Sequence, residues 1–193
     1  MGLDSVELLV RFERYFEVEV PDTVAERLYT PGDVAAWVSQ HLGIPASLSS
    51  PSREIVARQL RLLFVARGPV ADTTVASLLP NGEAWADYAQ QLADQAGWQL
   101  PEIGWLRPPQ TRGWLNQVFN WLTAIAPPAP NLYRFTDLIN WTLARNYQLL
   151  LTKPWQSQYE VLQAVIGMTS DASGVEVSAI KDESRFTLDL GID

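Results

Sequence analysis

The sequence has no cysteine and only one histidine, His41. Disulfides and thiolate metal sites are therefore excluded, and a His-rich metal site or a histidine-based triad has too few residues to build it. Positive charge is also scarce. Lys and Arg number 14 against 22 Asp and Glu, giving a net charge of −8 and a pI near 4.6. A chain of this sign is not expected on nucleic acid or on an anionic membrane surface, and it favours partners with basic patches. No apolar run is long enough to span a bilayer, and no charged-then-apolar leader is visible. No Gly-rich phosphate loop or paired metal-ligand spacing appears. The expectation is a soluble, cytoplasmic, acidic protein that is not an enzyme.

What is present is 193 residues with 47% hydrophobic side chains, enough for one core or two small ones. Eight tryptophans point to extensive aromatic packing. Residues 5–17 read as a helix, because Leu8, Leu9, Phe12, Tyr15 and Phe16 form one apolar face. Asp4 with Glu7 has capping-box spacing. Thr23 with Glu26 suggests a short helix to about Leu28. Thr30-Pro31-Gly32-Asp33 opens another, which Gly43 closes. Residues 44–52 read as a Ser/Pro-rich linker.

Helices are expected next at 53–66 and 83–96, then from Asp137 to about Leu151, and at about 155–169 after Pro154. Residues 175–193 read as irregular. Trp98-Gln99-Leu100-Pro101-Glu102 echoes Val18-Glu19-Val20-Pro21-Asp22, and Asp137-Leu138 with Trp141 echoes Asp33-Val34 with Trp37. This is a weak but ordered internal repeat. Its second copy carries an insertion at about 103–133, rich in Pro and Trp, with an uncharged helical pattern from Trp114 to Ala126. Burial is the simpler expectation for that pattern, since interfacial helices carry a charged face. Trp37 and Trp141 are expected in the core.

The chain ends Asp189-Leu190-Gly191-Ile192-Asp193 and begins with Asp4-Ser5-Val6-Glu7-Leu8, followed by Val20-Pro21-Asp22 and the Thr30 to Asp33 helix start. Together these stretches resemble the acyl carrier protein family, in which the Asp-Leu-Gly-x-Asp loop comes directly before the Val-Glu-Leu helix. Here the order is reversed. The resemblance implies an all-α fold of two carrier-like helical bundles. One is discontinuous: residues 155–193 supply the first helix and loop, residues 1–43 the later helices, as in a circular permutation. The other, residues 51–151, is a degenerate tandem copy carrying the insertion. A domain-exchanged dimer is the rival arrangement.

The family joins 4′-phosphopantetheine to a serine at a helix start. The resemblance therefore implies Ser5 as attachment residue with Asp4 beside it, and Glu7, Glu13 and Glu17 as an acidic partner-binding face. The partners implied are a phosphopantetheinyl transferase and acyl-loading or acyl-transfer enzymes. Two readings of Ser5 stand together. Aligned without gaps through Val6-Glu7-Leu8, the family's modified position falls on Gly2, so Asp4 and Ser5 also fit plain helix capping. The second reading is an unmodified carrier-like scaffold that docks partner enzymes.

Overall fold

The computed structural model describes residues 3–64, 90–100 and 134–192. The described elements are helical, with no strand among them. Helix α1 runs Leu3–Phe16, α2 Asp22–Ala25, α3 Pro31–Leu42 and α4 Pro51–Phe64. Residues 90–96 are helical. Then come α5 (Phe135–Arg145), α6 (Tyr147–Leu150), α7 (Gln158–Ser173) and a 3₁₀ turn, Val177–Ala179. The insertion at 103–133, with the Trp114–Ala126 pattern, lies outside the described residues, as does most of the expected 83–96 helix.

The ends of α3 follow from single residues. The Thr30 hydroxyl accepts the Asp33 N–H at 3.1 Å, and the Asp33 carboxylate accepts the Thr30 N–H at 3.0 Å, a reciprocal capping box. Gly43 closes the helix at φ +66°, which costs glycine little because it has no Cβ. The start of α1 differs from expectation. The helix already includes Leu3 and Asp4, so Asp4 is a first-turn residue and not the N-cap, and Glu7 pairs with Arg11 at 2.7 Å. Helix α2 begins behind Pro21 without a side-chain cap, so Thr23 lies inside it.

Helix α7 lies at the centre. Its residues from Tyr159 to Ser170 are buried except half-buried Leu162, and it packs on α3, α1, α5 and α6. A helix covered on all sides needs little amphipathicity, and α7 carries Val161, Ala164, Val165, Ile166 and Met168 around its circumference. Its close approach to the α5–α6 corner depends on Gly167, where a Cβ would run into the Ala144 carbonyl and the Tyr147 ring. The buried side chains form one cluster that includes Leu8, Phe12 and Val38 together with Leu60, Leu138 and Leu143.

Two polar devices fix the corners. Glu160 is buried on α7, accepting the Ser50 hydroxyl at 2.6 Å and the Gln156 N–H at 2.8 Å. Ser50 in turn accepts the Arg53 N–H at the start of α4. Asn146 ends α5 and clamps Gln99 from both sides: it accepts the Gln99 N–H and donates to the Gln99 carbonyl, each at 2.7 Å. Trp37 and Trp141 are half-buried rather than central, and Trp37 stacks on His41 with ring centroids 4.9 Å apart.

Candidate functional site: the cavity beside Ser5

Ser5 is the third residue of α1, half-buried in the first turn. It lines a cavity of about 350 Å³ between α1, the α2–α3 connection and the last described segment. The walls are mainly apolar: Leu8 and Phe12 of α1, Val34 of α3, and Phe186 and Ile192 from the end of the chain. Among the described residues, Glu26 and Arg185 are the charged ones that line it.

The terminal segment reaches this place through backbone hydrogen bonds. The Gly32 N–H donates to the Asp182 carbonyl at 2.8 Å, and the Phe186 N–H donates to the Tyr29 carbonyl at 3.0 Å. The Phe186 ring then lies 6.3 Å from that of Phe12. Within the segment the Asp189 carboxylate accepts the Arg185 N–H at 2.7 Å, and Gly191 takes φ +66°. That turn buries Leu190 and Ile192 on either side of the glycine. The Asp-Leu-Gly-Ile pattern is thus a side-chain cap, an apolar anchor, a left-handed turn residue and a second anchor. The Arg185 guanidinium sits 5.7 Å from the Tyr29 ring centroid at the cavity rim.

The other residues singled out by sequence are dispersed. Glu7 is exposed and paired with Arg11. Glu13 is half-buried and accepts the Val20 N–H at 2.8 Å, which ties the extended stretch after α1 back to the helix. Glu17 follows the helix at φ +55° and forms an ion pair with Lys153. At about 100° per residue, Glu7 and Glu13 project some 120° apart around α1. The Asp4 side chain and Asp193 lie outside the described residues.

Sequence reading missed Tyr29, Arg185 and Phe186 as partners of one cavity. The signal available was the apolar-aromatic pattern of Phe186, Leu190 and Ile192 near the end of the chain. Among the described residues, no cluster of His, Asp and Glu is suited to a metal ion, and no helix is long and apolar enough to cross a membrane.

A short part of the chain is similar to curated acyl carrier proteins. It is 44% identical over 42 residues to that of Phenylobacterium zucineum (strain HLK1), covering 22% of this chain and 53% of the relative. Against the acyl carrier protein of Akkermansia muciniphila it is 46% identical over 42 residues, 22% of this chain and 52% of that one. With that of Caulobacter vibrioides (strain NA1000 / CB15N) the identity is 42% over 39 residues, 20% and 50% of the two chains. The chain spans about half the length of the curated relatives it matches. No family model and no solved structure matches it.

Proposed function

We infer that this chain is a carrier that holds an acyl or aminoacyl group on 4′-phosphopantetheine joined to Ser5. The observation that carries this reading is the placement of Ser5 at the first turn of α1, on the wall of an apolar cavity. Partial likeness to acyl carrier proteins supports it. The residues present fit the prosthetic group. The backbone donors of a helix start favour a phosphodiester, Arg185 lines the same cavity and offers a guanidinium to it, and Leu8, Phe12 and Phe186 offer apolar walls to a short acyl chain. The group, when attached, supplies a terminal thiol that carries its cargo as a thioester. The chain's own part is to present the Ser5 hydroxyl, hold the arm at the helix start and keep water from the apolar walls.

In this reading residues 1–43 and 155–193 act as one permuted carrier-like unit. The packing of α7 on α1 and α3, and the Tyr29–Phe186 hydrogen bond, support that grouping. Residues 51–151 are the degenerate second unit. A phosphopantetheinyl transferase and acyl-handling enzymes are the partners, in the cytoplasm.

A second reading has its own support. Glu13 and Glu17 are engaged within the chain, which leaves less of an acidic face for carrier enzymes. The protein is then an unmodified scaffold of the same shape. Intact mass after incubation with a broad-specificity phosphopantetheinyl transferase and coenzyme A separates the two. The expected result is a gain of one phosphopantetheine that disappears in Ser5→Ala. No gain from protein shown by circular dichroism to be folded overturns the carrier reading in favour of the scaffold.

A further inference from the structure

The chain carries net charge −8 and 14 basic residues in all, yet four arginines line a single cleft of about 600 Å³ between α4 and α5. Arg53, Arg58 and Arg61 come from α4, and Arg134 from the N-terminal end of α5. Spacing explains the gathering. Arg53, Ala57 and Arg61 stand four apart on one ridge of α4, and Arg58 and Leu62 stand four apart on the next. Among the described residues, Glu54 is the one acidic side chain lining the cleft.

Among the described residues, no carboxylate forms an ion pair with any of the four. Asp137 caps α5 by accepting the Arg134 N–H at 2.7 Å and lines a neighbouring depression with Asp182 and Glu183, which Arg53 borders as well, so Arg58, Arg61 and Arg134 are the arginines that belong to the cleft alone. Four guanidinium groups gathered about the single carboxylate of Glu54 leave an excess of positive charge in the cleft, and an anionic ligand relieves that cost. Two of them are held by aromatic faces: Arg53 lies 5.6 Å from the Tyr159 ring centroid and Arg61 lies 5.9 Å from that of Phe135. Stacking uses the face of a guanidinium and leaves its in-plane N–H donors for an oxyanion. The Arg53 Nε–H is also buried without a hydrogen-bond partner, a donor in need of an acceptor.

The geometry points to a binding site for a phosphorylated organic molecule in this cleft, of nucleotide or lipid-headgroup chemistry. Guanidinium forks on two facing helices match phosphate oxygens in pairs. The volume falls in the range of small-molecule sites, roughly 300–1,000 Å³. Ala57, Phe135 and Ile139 provide an apolar floor for the organic part. Among the described residues the cleft shares no lining residue with the Ser5 cavity, so the site stands whether or not Ser5 is modified.

The test uses the full chain and three probes. Calorimetric titration with pyrophosphate and with ADP reads free phosphate chemistry. Flotation with phosphatidylcholine vesicles containing phosphatidic acid, against vesicles lacking it, reads a headgroup. Arg58, Arg61 and Arg134 are exposed, so Arg58→Gln with Arg61→Gln, and Arg134→Gln alone, should fold as the parent does, checked by circular dichroism. The expected result is saturable, salt-weakened binding of at least one probe, reduced at least tenfold in the double variant. Absence of binding by all three, or binding unchanged by the substitutions, overturns the proposal.

Discussion

Gly167 lies where α7 crosses the α5–α6 corner, and the Ala144 carbonyl and Tyr147 ring occupy the space a side chain needs. Gly167→Ala is expected to lower stability by about 1–3 kcal/mol through overpacking, despite alanine's higher helix propensity. Urea denaturation of the two proteins measures it. Glu160 is the polar counterpart. Its carboxylate satisfies the buried Ser50 hydroxyl and the Gln156 N–H. Glu160→Leu strands both donors, and a loss on the order of 2–4 kcal/mol is expected in the same experiment. Ser50→Ala should cost less, because Gln156 continues to bind the carboxylate. Neither role was legible in the sequence. A glycine and a glutamate within a helical pattern look like a weak point and a solvent-facing charge until the partner helices are in place.

Among the elements, those whose ends are set by their own residues were readable. Thr30, Asp33 and Gly43 bound α3 through local hydrogen bonds and a left-handed turn, and all three are visible as letters. Helix α1 was readable by its stripe, since Leu8, Phe12 and Phe16 are all buried, but not by its start. The Asp4–Glu7 spacing suggested a cap that the longer helix displaces. The break between α5 and α6 was not readable, because Asn146 ends α5 by binding Gln99, 47 positions earlier. Ser5 was named from a motif, whereas the cavity it lines depends on Tyr29 and Phe186, which meet only after folding. The link from Glu13 to Val20 is testable at this scale. Glu13→Ala removes the acceptor of the Val20 N–H, and faster hydrogen exchange at that amide is expected, with helix α1 itself unchanged.

At the scale of the whole molecule, three tyrosines bind separate elements together. The Tyr15 hydroxyl donates to the Leu151 carbonyl at 2.6 Å, Tyr147 meets Asp171 at 3.1 Å, and Tyr159 donates to Asn140 at 2.6 Å. Burial pushes all three above their ordinary value of 10.0, because a phenolate in these surroundings loses its hydration. The native state therefore holds these protons after the unfolded chain has begun to release them near pH 10. The unfolded state then binds fewer protons than the native one, so stability is full below that pH and falls as pH rises beyond it. Stability measured by urea between pH 8 and 12 should decline above about 10, with a smaller decline in Tyr15→Phe. A flat profile would count against the buried placement of these hydroxyls.

The central position of α7 also governs when the protein can become itself. The helices it packs on, α1, α3, α5 and α6, all precede it in the chain and are made before it leaves the ribosome. Until then their inner faces have no common partner, and the pairing of α1 with α7 must close a loop of more than a hundred residues. Such long-range pairing slows folding and leaves apolar faces in need of shelter. The nascent chain is thus expected to leave these apolar faces uncovered until Gln158–Ser173 has been made.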